Sequence, residues 1–297
     1  LLVAAVAILA SAQAALPGQT ECVGPLTGDH DNVTVPEAAV CILEGVRIRG
    51  NLVVRADAEL HDSIPGINTV GGNLRSDGAA SVVLMNTQVA GRADFKNTVV
   101  AAVAATFFAG RLFQFQVEGD LTVNGAQFVF FEFGLVGGSI DVRRVDGADI
   151  VVRGMHIAGN VRIRDSVVTL IEVDQNEIAG SVEVSKNVID SILFFSNAIT
   201  GDVDVTENVL DSPFQSLIQN NRVAGNLTAE DNLLLATLQF GIVENSVGAD
   251  LSVIRNRGPE PKTVANNIIA ATLRCFDNDP PFVGGPNTAG RAEGQCF

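Results

Sequence analysis

A glycine that recurs with the same neighbours constrains this chain more than any other feature. The sequence runs Ile157-Ala-Gly159-Asn-Val161-Arg-Ile163, then Ile178-Ala-Gly180-Ser-Val182-Glu-Val184, then Ile199-Thr-Gly201-Asp-Val203-Asp-Val205, with the glycines 21 residues apart. Apolar residues stand two before the glycine, and two and four after it. A spacing of two marks a strand with one buried face. So short a unit cannot bury that face alone, and the units must stack into a solenoid with one continuous core.

The frame extends in both directions. Gly50, Gly72, Gly91, Gly119, Gly138, Gly159, Gly180, Gly201, Gly225, Ala249 and Ala271 define eleven units. Asparagine adds two further columns. Asn68, Asn176, Asn197, Asn221, Asn245 and Asn267 stand four residues before the reference position, and Asn187, Asn208, Asn232, Asn256 and Asn278 stand seven after it. Asparagine tolerates the left-handed backbone that corners need, and stacked amides bond one another in a ladder. Each coil is therefore expected to turn near both columns. Phe115, Gly134 and Met155 replace asparagine in the earlier coils, which predicts a less regular first half. Coils of 19–28 residues with uneven corners do not suit the strict hexapeptides of a left-handed β-helix. The expected fold is all-β: a right-handed parallel β-helix with three sheets, about eleven coils, and a length of about 50 Å at roughly 4.8 Å per coil.

The array accounts for nearly all 297 residues, and 47% hydrophobic content suits a filled interior. Residues 1–15 are apolar or small and end Ala12-Gln-Ala14, as in a secretory signal truncated at its start. Residues 16–50 read as the N-terminal cap and first coil, 51–270 as the parallel β-helix, and 271–297 as the C-terminal cap. Cys22 and Cys41 flank the first coil, and Cys275 and Cys296 flank the last. Pairs Cys22–Cys41 and Cys275–Cys296 would staple the two ends; the other connectivities would span the rod, beyond disulfide reach. No CxxC or histidine cluster suggests a metal, and no cofactor is implied. The net charge of −15 disfavours nucleic acid and anionic membranes. No stretch after residue 15 is apolar enough to span a bilayer.

One section breaks the pattern. Gly91 and Gly119 are 28 residues apart, and eight of the sixteen phenylalanines lie in or beside this insertion: Phe107, Phe108, Phe113, Phe115, Phe128, Phe130, Phe131 and Phe133. The run Phe128-Val-Phe-Phe-Glu-Phe133 is apolar in both phases of a strand, so one strand cannot turn all of it inward. Either the inserted loop covers the excess, or Phe128, Phe130, Phe131 and Phe133 form an apolar surface for a partner or for self-association.

The outward columns are charged. Three residues after the glycine stand Asp141, Arg162, Glu183 and Asp204; six after stand Arg144, Asp165, Lys186, Glu207, Asp231, Arg255 and Asp277. These read first as cross-coil pairs. The nearest approach to a catalytic constellation is Glu183, Asp202 and Asp204 with Arg162. A polysaccharide lyase or glycoside hydrolase would need such carboxylates, with calcium or a basic residue for a lyase. A solvated charged face is the plainer reading. There is no Trp or Tyr to stack on sugars, and the regular coils show no long loops to wall a groove. The histidines His30, His61 and His156 are dispersed. Sequons occur at Asn32-Val-Thr34 and Asn226-Leu-Thr228.

Two regions together resemble a group of secreted bacterial repeat proteins of unassigned function, regarded as right-handed parallel β-helices. One is the recurring Asn-x-[Val/Ile]-x-Gly-[Asn/Asp/Ser]-[Val/Leu]-x-Val unit. The other is the ending Leu273-Arg-Cys275-Phe-Asp-Asn278-Asp-Pro280, Asn287-Thr-Ala-Gly290, Glu293-Gly-Gln-Cys296. Val33-Thr-Val-Pro36 before Cys41 matches the start of such chains. The resemblance implies secretion and carries over no catalytic motif. The expected function is a secreted structural or interaction rod, adhesin-like or envelope-associated, whose partner is a cell-envelope component, a polysaccharide surface or another copy of the chain.

Overall fold

The turn of chain around Gly180 shows how the repeat becomes structure. It contributes the strands Glu177–Ile178, Val182–Ser185 and Val188–Phe195, one to each of three strand columns. Each pairs in parallel with its counterpart one turn later: Ile178 with Ile199, Val182 with Val203, Val188 with Val209. In the computed structural model of the protein this pattern repeats as a parallel β-solenoid of about 12 turns. The model describes residues 18–296 apart from 64–65, 104–105, 109–110, 114, 212, 236–238 and 259–261, and only the backbone of strands Thr106–Phe108 and Arg111–Phe113. The signal-like residues 1–15 lie outside the described residues.

The turn beyond the expected eleven comes from the cap. Gln19–Glu21 pairs with Asn32–Val35, and Gly24–His30 with Val40–Ile48, so the cap is itself coiled. The amide of Gly50 donates to the carbonyl of Asp31 at 2.6 Å. Asp31 thus fills the glycine column one turn early, and a frame read from glycines passes over it. At the other end Thr288–Gly294 pairs with Ile268–Phe276. The disulfides Cys22–Cys41 and Cys275–Cys296 join neighbouring turns near the two ends, with Cα–Cα distances of 5.5 and 5.7 Å. Each closes a loop short enough to contribute on the order of 3 kcal/mol.

The core follows the period of two. Ile178, Val182, Val184, Ile189, Ile192 and Phe194 of one turn are all buried, and their counterparts continue along the axis. Phe95, Phe115, Phe131, Phe194 and Phe240 are the largest of the fully buried apolar side chains. Each buried side chain of this size contributes about 1.5–3 kcal/mol.

Three side-chain ladders lock the turns together. In the first, Asn176 donates through Nδ2 to Asn197 Oδ1 at 2.9 Å and to the Val152 carbonyl at 2.8 Å, and the pattern continues through Asn221, Asn245 and Asn267 to Asn287. The second runs Asn187, Asn208, Asn232, Asn256, Asn278 and ends on Gln295. Every one of these ladder asparagines except Asn287 is buried. Such a buried amide is stable only because both its donors and its acceptor are used.

The asparagines do not occupy the left-handed corners. Those are the residues just before them, including Gln175 (φ 54°), Lys186 (58°), Ser196 (53°) and Glu207 (56°). The ladder asparagines are present for their amides; asparagine also takes the left-handed position itself at Asn97, Asn220 and Asn266. The charged column six after the glycine is therefore the corner column itself. As expected, the first half is less regular. There Gly134 N–H points at Met155 Sδ, and the Asp62 carboxylate accepts from the amides of Met85 and Asn86 and the hydroxyl of Thr87.

The third ladder explains the glycine. The residue after almost every reference glycine uses its side-chain oxygen to accept the backbone N–H one turn later: Asn160 from Ser181 at 2.8 Å, Ser181 from Asp202 at 3.1 Å, Asp202 from Asn226 at 2.7 Å. A Cβ on Gly180 would lie 2.4 Å from Asn160 Oδ1 and 2.5 Å from the Gly159 carbonyl oxygen. Only a residue without a side chain fits there. Ala249 and Ala271 take the position in the last turns, and their coil-to-coil bonds are longer, both 3.2 Å.

The 28-residue coil is a hairpin. Thr106–Phe108 pairs antiparallel with Arg111–Phe113, directly after the third-sheet strand Val100–Val103. The side chains of Phe107, Phe108 and Phe113 lie outside the described residues.

Candidate functional site

The charged constellation is brought together by the register. Arg162, Glu183 and Asp204 are consecutive partners in the second sheet, followed by Thr228. Their bonding is internal. Arg162 Nε lies 3.7 Å from Glu183 Oε2, and Glu183 Oε1 accepts from Ser185 Oγ at 2.8 Å. Asp202 belongs to the third ladder, where Oδ1 also accepts from Asn226 Nδ2 at 3.0 Å. Both sequon asparagines, Asn32 and Asn226, occupy the same column. Burial holds the Asp204 carboxyl above its ordinary range. Asp202, Glu183 and Glu230 push the same way, against a hydrogen bond from Thr228. Among the described residues no three His, Cys, Asp or Glu side chains converge as metal ligands. Asp202 and Asp204 bond across turns, to Asn226 and Thr228, whereas the hydrogen bond of Glu183 is to Ser185 of its own strand.

Cross-coil pairing appears elsewhere, with partners set by geometry. Lys186 Nζ lies 3.9 Å from Glu207 Oε2, and Arg255 Nε 2.8 Å from Asp231 Oδ1. Arg164 takes Asp141 at 3.4 Å, and Arg144 bonds Asn124 rather than Asp165. All of these are at least partly solvated, worth about 0–1 kcal/mol each.

A groove exists despite the absence of walling loops. The outer face of the first sheet carries small residues, Gly137, Ala158, Ala179, Thr200 and Ala224, one before each reference glycine. They floor a depression of about 750 Å³. A second depression of about 540 Å³, at Arg47 to Glu118, continues it and shares Gln116 and Glu118. The strip is open and shallow. Its charges are sparse and mixed, and His156 Nε2 already lies 3.1 Å from Glu177 Oε2.

The third sheet is different. Its outward columns should be polar, as in the second sheet, yet they are largely apolar. One column reads Val83, Ala102, Phe130, Val151, then Glu172, Leu193 and Leu217; the column beside it has Val100 and Phe128, then Asp149, Leu170 and Ser191. A third column runs Glu132, Arg153, Asp174, then Phe195, Gln219 and Val243, and Phe214, 58% exposed, stands just before Gln215–Gln219. Most of these side chains are half-buried. The apolar ones form a strip across several turns on the outside of the solenoid, interrupted by Asp149, Glu172 and Gln219.

The phenylalanine surface expected from the sequence is therefore partly corrected and partly enlarged. Phe131 faces inward and is fully buried beside Val129, because inward positions alternate along Phe128–Glu132. Phe128 and Phe130 face outward, their rings stacked with centroids 5.9 Å apart. Phe133 stands at a left-handed corner (φ 51°), 44% exposed, over Gly154, where a Cβ would meet its ring at 2.4 Å. The extension through Leu193, Phe195 and Leu217 was not read from the sequence. The signal was there: Ile192-Leu-Phe-Phe195 is apolar in both phases, as Phe128–Phe133 is.

Comparison with known protein families, with curated proteins and with solved structures finds no match to this chain. The similarity to secreted bacterial repeat proteins rests on the coil and cap motifs alone. The plain statement is that the chain is a parallel β-helix with stacked asparagine ladders and two disulfides.

Proposed function

We propose that the protein is a secreted, non-catalytic interaction rod, adhesin-like or envelope-associated, whose contact surface is the outer face of the third sheet. The observation that carries the reading is the contrast between two outward faces. On the second sheet the candidate catalytic side chains have charged or polar partners: Arg162 and Ser185 beside Glu183, Asn226 on Asp202, and Thr228 on Asp204. On the third sheet an apolar strip of Phe128, Phe130, Leu170, Leu193 and Leu217 is spent on no coil-to-coil bond. A contiguous outward apolar surface of this kind marks an interaction site in a soluble protein. Export is supported by the signal-like residues 1–15 and by two disulfides with no free cysteine among the described residues.

The competing reading is a polysaccharide lyase or glycoside hydrolase, and it is an analogy of fold. The test is product release from a panel of neutral and acidic polysaccharides, with and without calcium. No oligosaccharide release is expected from any of them. Release that disappears in Asp202→Asn/Asp204→Asn would overturn the proposal.

A further inference from the structure

The apolar strip carries a local imbalance of charge. Arg153 lies at its margin, with Nη1 2.9 Å from Glu132 Oε1, Nε 3.1 Å from Glu172 Oε1 and Nε 3.7 Å from Asp174 Oδ2. Glu132, Arg153 and Asp174 are consecutive partners in one outward column, with Glu172 two residues before Asp174. The three carboxylate side chains are only 16, 12 and 13% exposed. A fourth, Asp149, lies close enough to Glu172 to feel its charge. One guanidinium thus serves three carboxylates, and Asp149 stands beside them with no cation among the groups that shift it. No other Lys or Arg occurs in the third-sheet strands from Ser81–Leu84 to Gln239–Val243. Burial, and then the charge of Glu172, hold the carboxyls of Asp149 and Asp174 above their ordinary range. An added cation would relieve both.

We infer that the third-sheet face docks a cationic, apolar polypeptide segment, its Lys or Arg side chains meeting the Glu132, Asp149, Glu172 and Asp174 carboxylates and its aliphatic side chains covering Phe130, Leu193 and Leu217. The inference rests on reading this face as the contact surface and adds the chemistry of the occupant. Charge complementarity selects among the occupants an apolar face would accept. An anionic lipid surface is repelled by the same carboxylates. A polysaccharide would leave its hydroxyls unpaired against leucine and phenylalanine. A second copy of this chain brings a net charge of −15 against −15 and has few cations to offer.

The probes are three labelled twelve-residue peptides: alternating Arg and Leu, alternating Glu and Leu, and all Arg. Binding to the full chain is read by fluorescence anisotropy at low and high salt. The Arg/Leu peptide is expected to bind. Its affinity should fall about fivefold or more in Glu172→Gln/Asp174→Asn, and further in Leu193→Ser/Leu217→Ser, with both variants checked for an unchanged circular dichroism spectrum. The all-Arg peptide should bind weakly, lose binding in high salt, and ignore Leu193→Ser/Leu217→Ser. Equal binding of the Arg/Leu and Glu/Leu peptides, lost in Leu193→Ser/Leu217→Ser, would overturn the cationic occupant while leaving the contact surface standing. Arg/Leu binding that ignores both variants would overturn the contact surface as well. A concentration-dependent dimer that Leu193→Ser/Leu217→Ser abolishes would make the occupant a second copy and overturn the inference.

Discussion

Asn197 makes four hydrogen bonds through one buried side chain. Oδ1 accepts from Asn176 N–H and Nδ2, and Nδ2 donates to the Val173 carbonyl and to Asn221 Oδ1. Leucine would fill a similar volume and take a partner from all four groups, although Asn176 Nδ2 keeps the Val152 carbonyl and Asn221 Oδ1 keeps the backbone N–H of residue 197. Asn197→Leu is therefore expected to lower stability by on the order of 3 kcal/mol. Asp204→Asn removes a carboxylate that burial and its acidic neighbours already disfavour in its charged form. It should change stability by less than about 0.5 kcal/mol at neutral pH. Equal shifts in denaturation midpoint would contradict the ladder account. Lys262 is a second informative residue. It pairs in register with the inward Phe240, is 1% exposed, and places Nζ 5.6 Å from the centre of the Phe282 ring. Burial pushes its amine down to about 8 from 10.5, with Asp279 opposing. The folded state thus binds fewer protons than the unfolded state between pH 8 and 10.5, and stability from this group rises with pH across that window. Lys262→Met should melt higher than the parent at pH 7, and the gap should shrink from about pH 8 to 10.5. A gap independent of pH would show that the lysine binds its proton equally well in the folded and unfolded states, and would contradict a burial-lowered amine.

At the scale of the strand and the corner, the sequence was legible wherever the period was simple. Ile or Val two before the glycine and the apolar residue two after it predict buried strands, and both are buried in the Gly180 turn, at Ile178 and Val182. The asparagine columns predict ladders, and the ladders form. The left-handed corner was placed one residue late. A side chain's amide and its neighbour's backbone angle leave the same mark in a sequence, a turn-forming residue near a turn. The glycine requirement was also unexplained until the third ladder was seen. Its signal, Asn, Asp or Ser after almost every glycine, sat inside the repeat motif. What sequence reading could not reach is the third-sheet face. Its apolar residues are spread over turns of unequal length, so they do not share one offset from the glycine. Phe131 and Phe130 are adjacent in the chain and opposite in direction, and only the register decides which is core.

For the whole molecule, the charge of −15 and the two disulfides describe an acidic solenoid stapled near both ends. The described residues contain no helix long and apolar enough to cross a membrane. Stability in such an array is a sum of nearly equivalent turns and their interfaces. Changes confined to one outward face should leave it largely intact, so the third-sheet face can be altered without unfolding the rod. The measurement that tests the account most directly is retention of the protein by immobilised bacterial cell-envelope material. The parent, Leu193→Ser/Leu217→Ser and Asp202→Asn/Asp204→Asn would be compared, each with its melting temperature recorded. Saturable retention by the parent and by the second-sheet variant, lost in the third-sheet variant at a similar melting temperature, is the predicted result. Retention that survives the third-sheet changes and fails with Asp202→Asn/Asp204→Asn would place the working surface on the other face and contradict the account.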